Sequence, residues 1–351
     1  MSRKLITIST IMTLMSTSVI ADVPNVAADI APIHSLVSRV MDGVGAPKLI
    51  VQSGASPHGY RLRPSEAKAL QDADHVFWMG EELTPWLDSA IDTLATKASV
   101  TTLLDQEGII LHDFREGALF EAHDHSAHGD DDHDDHDDHD DDKGHKDHDD
   151  HDDHDDHKDH DDHDDHDDHD DHKDHDDHDD HGSHDPHAWL SPENAKLWLN
   201  IIASKLSVSD PENAATYFMN AAAGQAEIEA MIAEVKATLK PVQGGKFVVF
   251  HDAYQYFEND FDFYASGAIS LGDSSDPSPA RIEKVQKRIR DEGIQCVLAE
   301  PQFKKGLVAT VMEGSDATAS IIDPLGAELE TGPKLYTRLI KNMAKTLRNC
   351  L

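Results

Sequence analysis

From His145 to His187 a histidine falls at every third position without a break, most often with two aspartates between, and the stretch His123 to His187 holds 21 of the chain's 26 histidines. Neutral imidazole nitrogens and ionised carboxylates are the donors that hold zinc and other divalent first-row metals, so the composition reads as metal binding. A solvated acidic spacer would account for the aspartates alone. Histidine adds nothing to solubility that aspartate lacks, and it is the commonest metal-ligating side chain. His123, His125, His128, His133, His136, His139, His145, His148, His151 and His154 are assigned to this auxiliary metal-binding tract. A period of three matches neither the 3.6 of a helix nor the 2.0 of a strand. With no apolar face to bury, residues 115–185 are expected to form a disordered loop that binds several ions loosely and fixes no geometry. A specific site must lie elsewhere.

The tract also explains the charge. Residues 123–187 carry 33 Asp and 4 Lys, a net of −29, which leaves −10 of the chain's −39 for everything else. The body is mildly acidic, and no basic patch points to nucleic acid. Arg3 and Lys4, the apolar run LITISTIMTLM and the small-residue end Val19-Ile20-Ala21 read as a secretory signal, residues 1–21, cleaved after Ala21. That run is too short for a comfortable membrane span, so the chain is expected to be exported and not membrane-embedded. Two cysteines in an oxidising compartment suggest a Cys296–Cys350 disulfide tying the last residues to a strand, with two unrelated buried thiols as the alternative.

Candidate site residues need elements to position them. Strand-like runs at KLIVQ, HVFWMG, KFVVF, CVLAE and ASIID alternate with helix-like segments, which implies βαβ units and mostly parallel sheets. Ser191 is a plausible N-cap with Pro192 at the first helical position. Residues 211–240 are rich in good helix formers and read as one long helix. The expected fold is α/β: an N-terminal lobe at 22–208, a rigid linking helix at 209–241 and a C-terminal lobe at 242–351. In open parallel sheets ligands bind beyond the carboxyl ends of strands. His58 follows KLIVQ, His251 ends FVVF, Glu300 ends CVLAE and Asp323 ends ASIID, while His187 closes the repeat and opens HAWLSP. Spacing alone is weak support, since a lone histidine at a strand end is more often a satisfied polar residue.

The segments SGASPHGYRLRPSEAKALQDAD, HAWLSPENAK, FVVFHDAYQYFE, CVLAEPQF and IIDPLG resemble those of the ZnuA family, periplasmic zinc-binding proteins that feed zinc ABC importers. The resemblance covers essentially the whole mature chain. It implies two α/β lobes bridged by a long helix, with Zn2+ held by His58, His187 and His251 in the cleft between them. Some members place a glutamate before the first ligand histidine, but here Pro57 stands there, so the fourth ligand is expected to be Asp323, with water as the alternative. Glu300 is expected to orient a ligand imidazole, and His34 could also line the cleft, although a polar residue at a helix start is the plainer account. Manganese receptors of similar fold have glutamate in the place of His251, and this residue carries the preference for zinc. The implied partners are an inner-membrane zinc ABC permease and periplasmic zinc chaperones, the implied state is a monomer, and the implied role is non-catalytic. A three-histidine zinc hydrolase or hydratase and a periplasmic zinc buffer are the competing readings.

Overall fold

The structure, a computed structural model, describes residues 23–115, 184–270, 277–302 and 305–351. The expected leader and the tract histidines from His123 to His181 lie outside the described residues. Two four-stranded sheets, parallel in every pairing, organise the described chain. The first contains β1 (Val26–Ala28), β2 (Lys48–Leu49), β3 (His75–Trp78) and β4 (Ser99–Thr102) in the order β2-β1-β3-β4. The second contains β5 (Phe247–His251), β6 (Ala268–Ser270), β7 (Cys296–Ala299) and β8 (Thr318–Ile321) in the order β6-β5-β7-β8. Each sheet therefore places its earliest strand between its second and third, which creates a crevice at the carboxyl ends of the strands.

Helices flank both sheets. In the first half these are α1 (Ala31–Val40), α2 (Pro64–Gln71), α3 (Pro85–Leu94) and α4 (Pro192–Ser209). A longer helix, α5 (Ala214–Leu239), leads to α6 (Gln255–Phe261), α7 (Pro279–Glu292), α8 (Lys305–Met312) and α9 (Leu335–Cys350). The expected cap is present: Ser191 Oγ accepts the Asn194 N–H at 3.3 Å, with Pro192 opening α4. At 26 residues α5 spans about 39 Å. Its buried stripe, Tyr217, Ala221, Ile228, Met231, Val235 and Leu239, follows three- and four-residue steps. Gly224 belongs to that stripe because a Cβ there would meet Leu199 Cδ1 at 2.9 Å and Arg39 Cγ at 3.1 Å. The helix packs on α1, α4 and α9, and one core runs without a break from Val26 and Phe77 through Ile228 to Val249 and Leu298. The two sheets thus share an interior.

Three details differ from expectation. The β2 ladder is two residues long: Ile50 and Val51 still donate to Ala28 O and Asp29 O, and the chain then turns, with Gly54 at φ 83°. The β4 edge strand has no counterpart in the apolar pattern, since Ser99 and Val100 are exposed. Order also reaches further into the supposed loop 115–185 than expected. Asp113 and His184 form an antiparallel bridge, the Asp185 N–H donates to His112 O at 2.7 Å, and Asp185 is buried.

The disulfide joins Cys296, at the start of β7, to Cys350, at the end of α9, with Cα atoms 5.6 Å apart. It closes a sequence separation of 54 residues. Replacing both cysteines by alanine is expected to lower the unfolding free energy by about 4 kcal/mol, measured by urea titration under oxidising conditions.

Candidate metal centre

Three imidazoles converge where the strands end. One ring nitrogen each from His58, His187 and His251 lie within 4.8 Å of one another. Ring centroids are 5.5 Å apart for His58–His187, 5.9 Å for His58–His251 and 4.8 Å for His187–His251. A tetrahedral zinc with bonds of ~2.1 Å sets its ligand nitrogens about 3.4 Å apart, so a modest contraction closes such a set.

Each ring is delivered by a distinct device. His58 stands in the loop after β2, where Trp86 of α3 donates its indole N–H to Pro57 O at 2.6 Å. The same loop is held further on by Tyr60, which donates to Glu66 Oε1 at 2.8 Å, and by Glu66 Oε2, which accepts the Arg63 N–H at 2.7 Å. His251 is the last residue of β5, in register with Ser270 of β6. His187 caps the 3-10 turn Ala188–Leu190. The next ring, Trp189, is fully buried and donates to Pro324 O at 2.8 Å, joining this turn to the loop after β8. Ser191 adds a second tie by donating to Asp260 Oδ2 at 2.7 Å.

Buried carboxylates lie beside two of the three rings. Asp185 Oδ1 lies 2.6 Å from His187 Nδ1 and also accepts the His187 N–H at 2.9 Å. Burial pushes Asp185 up to about 6. Glu300, buried at the end of β7, approaches His251 Nδ1 at 3.4 Å and accepts from Gln302 at 2.6 Å. At the residue after His251, the Asp252 carboxylate pairs with the guanidinium of Arg115, which also pairs with Glu258 of α6. Burial raises both of these carboxyls, while the arginine holds them back.

The other expected residues fall elsewhere. His34 lies in α1, with Nε2 3.2 Å from Pro47 O and Nδ1 3.5 Å from Ser38 Oγ, and burial lowers its pKa. Asp323 is outside the three-ring group, and its carboxylate accepts the N–H groups of Leu325, Gly326 and Ala327 at 3.0, 2.8 and 2.6 Å. Together with Glu300 it borders a cavity of about 1060 Å³ walled by Ile321, Leu339 and Met343, which none of the three histidines lines. Sequence reading missed Asp185, Arg115, Asp252 and Glu258. Only Asp185 left a trace, because the pair before His187 is Asp-Pro where the repeat otherwise runs to Asp-Asp or Lys-Asp, apart from one Gly-Ser.

Two parallel α/β sheets on a shared core, with a nitrogen-rich cluster at the strand ends, define a two-lobed metal receptor of the solute-binding class. The chain belongs to the ZnuA family, described as zinc-uptake complex component A, periplasmic, which matches residues 26–350. It is 48% identical over 326 residues to the high-affinity zinc uptake system protein ZnuA of Brucella abortus (strain 2308), covering 93% of this chain and 91% of the relative. The ZnuA of Paracoccus denitrificans (strain Pd 1222) is 44% identical over 332 residues, covering 94% and 93%. A crystal structure of ZnuA superposes with a TM-score of 0.67 at 18% identity, covering 94% of this chain and 99% of that one, which speaks to the fold.

Removing the guanidinium would leave two buried carboxyls unpaired and push both further up in the folded state. The folded protein would then hold protons that the unfolded chain has lost, so the damage grows as pH rises above the ordinary carboxylate range. Arg115→Met is expected to cost about 3–5 kcal/mol at pH 8 and markedly less near pH 4.5, measured by urea unfolding at both.

Proposed function

We propose that the chain captures Zn2+ between its two lobes in the periplasm and delivers it to the permease of an inner-membrane ABC importer. The observation that carries this reading is the convergence of His58, His187 and His251 within 4.8 Å, a nitrogen-rich set suited to zinc rather than manganese, which favours more oxygen ligands. The names of the relatives from Brucella abortus and Paracoccus denitrificans support it. Among the described residues no helix is long and apolar enough to cross a membrane. Membership of a transport family sets hydrolysis aside.

Asp323 supplies the fourth ligand in this reading, since a carboxylate oxygen that accepts one amide keeps a second lone pair for an ion. Glu300 acts through His251 by holding Nδ1 and leaving Nε2 for the metal. The protein works as a monomer after cleavage behind Ala21, and the His/Asp tract, fed by periplasmic zinc chaperones, concentrates further zinc near His187. Loading closes the lobes by a modest rocking, because a shared core and the Trp189–Pro324 and Ser191–Asp260 ties oppose wide hinge opening.

Calorimetry with chelator competition tests the assignment. One tight equivalent is expected, lost or severely weakened in His58→Ala, His187→Ala and His251→Ala, and weakened as pH falls because each ligand imidazole must shed its proton. Deleting residues 124–183 should remove the weak equivalents and spare the tight one. If the tight one vanished with them, the tract itself would be the site. Asp323→Ala should weaken it, whereas an unchanged affinity would assign the fourth position to water.

A further inference from the structure

We propose that Asp185 is a positioning residue for the bound ion, fixing His187 with its proton on Nδ1 and its Nε2 turned toward the metal, and lending negative charge to a trio of neutral rings. The inference rests on the three-imidazole reading above.

The geometry is built into three consecutive residues. In Asp185-Pro186-His187 the carboxylate Oδ1 accepts the N–H of His187 at 2.9 Å, closing an Asx turn over a proline whose ring fixes φ. The same oxygen lies 2.6 Å from Nδ1 of that residue's ring. An oxygen already accepting the backbone N–H serves as acceptor again, so the proton of this contact sits on Nδ1. A neutral imidazole protonated there has its lone pair on Nε2, the only nitrogen then able to bind a cation.

The carboxylate has little freedom to leave. The Asp185 backbone is held on both sides, its N–H donating to His112 O at 2.7 Å and its main-chain carbonyl accepting the Tyr256 hydroxyl at 2.7 Å. The side chains of Asp185 and His187 are 2% and 4% exposed. The corresponding contact at His251, Nδ1 to Glu300, is longer at 3.4 Å. Asp185 thus approaches its ring more closely than Glu300 approaches His251, and it brings a negative charge to within one imidazole of the ion. Partners of this kind typically contribute about 10–100-fold to metal affinity.

The test uses the full chain and zinc itself, competed with chelators of graded strength so that weakly held ions are stripped first. Asp185→Ala is expected to weaken the tight site about 10–100-fold at unchanged stoichiometry. Asp185→Asn, whose amide oxygen still accepts Nδ1–H but carries no charge, should fall between. Long-range 1H–15N correlations on metal-free protein should show His187 as the Nδ1–H tautomer in the parent and a mixture containing Nε2–H in Asp185→Ala. An affinity for Asp185→Ala within about twofold of the parent, or an unchanged tautomer, overturns the proposal. Should the alanine variant not fold, Asp185→Asn decides by the same twofold limit. His187→Ala separates the two readings. If it weakens zinc and Asp185→Ala does not, only the positioning role falls. If it binds zinc as the parent does, the three-imidazole site itself is wrong.

Discussion

Everything in this protein depends on bringing three rings from distant parts of the chain to within 6 Å and holding their orientation. An imidazole donates along one in-plane direction, so a ligand is defined by how the ring is turned as much as by where it lies. The three segments solve this differently. An indole grips the carbonyl before His58, a β-ladder fixes His251, and an Asx turn locks His187. None of these local devices would suffice if the two sheets moved independently. The core that runs from Val26 to Leu298 through α5 makes their relative position part of the packing.

Charge is the second constraint. A divalent ion held by imidazoles needs compensating negative charge, and the protein gathers carboxylates near the three rings. Negative charge lies one contact from two of the rings, on Asp185 and Glu300, and the buried acids Asp252 and Glu258 are paired with Arg115. Burial raises Asp185, Asp252 and Glu258, which shows the cost of concentrating acids where water is excluded. The arrangement combines nitrogen ligation with an electrostatic background suited to a cation.

Much of this was legible in the chain. His58 and His251 stand out because each ends or follows an apolar strand, and the Ser191-Pro192 start of α4 follows from cap chemistry alone. The alternation of strands with helices led directly to parallel sheets. What escaped was tertiary or camouflaged. Arg115 meets Asp252 and Glu258 across separations of 137 and 143 residues, and no local pattern encodes such a closure. Asp185 is hidden among 33 aspartates of the tract, distinguishable only by the proline after it. The exposed β4 lacks the apolar pattern on which strand reading depends, because an edge strand owes its existence to a neighbour rather than to its own apolar face.

The packing of α9 on α1 and α5 has a bearing on how the molecule is made. Residues 335–350 fill the same interior as residues 31–40, so a chain emerging from its N-terminus cannot finish its first half while the rest is still being synthesised. Such wiring raises contact order and postpones collapse to a globule. Biogenesis, not recognition, would then be the stage most sensitive to truncation at the C-terminal end.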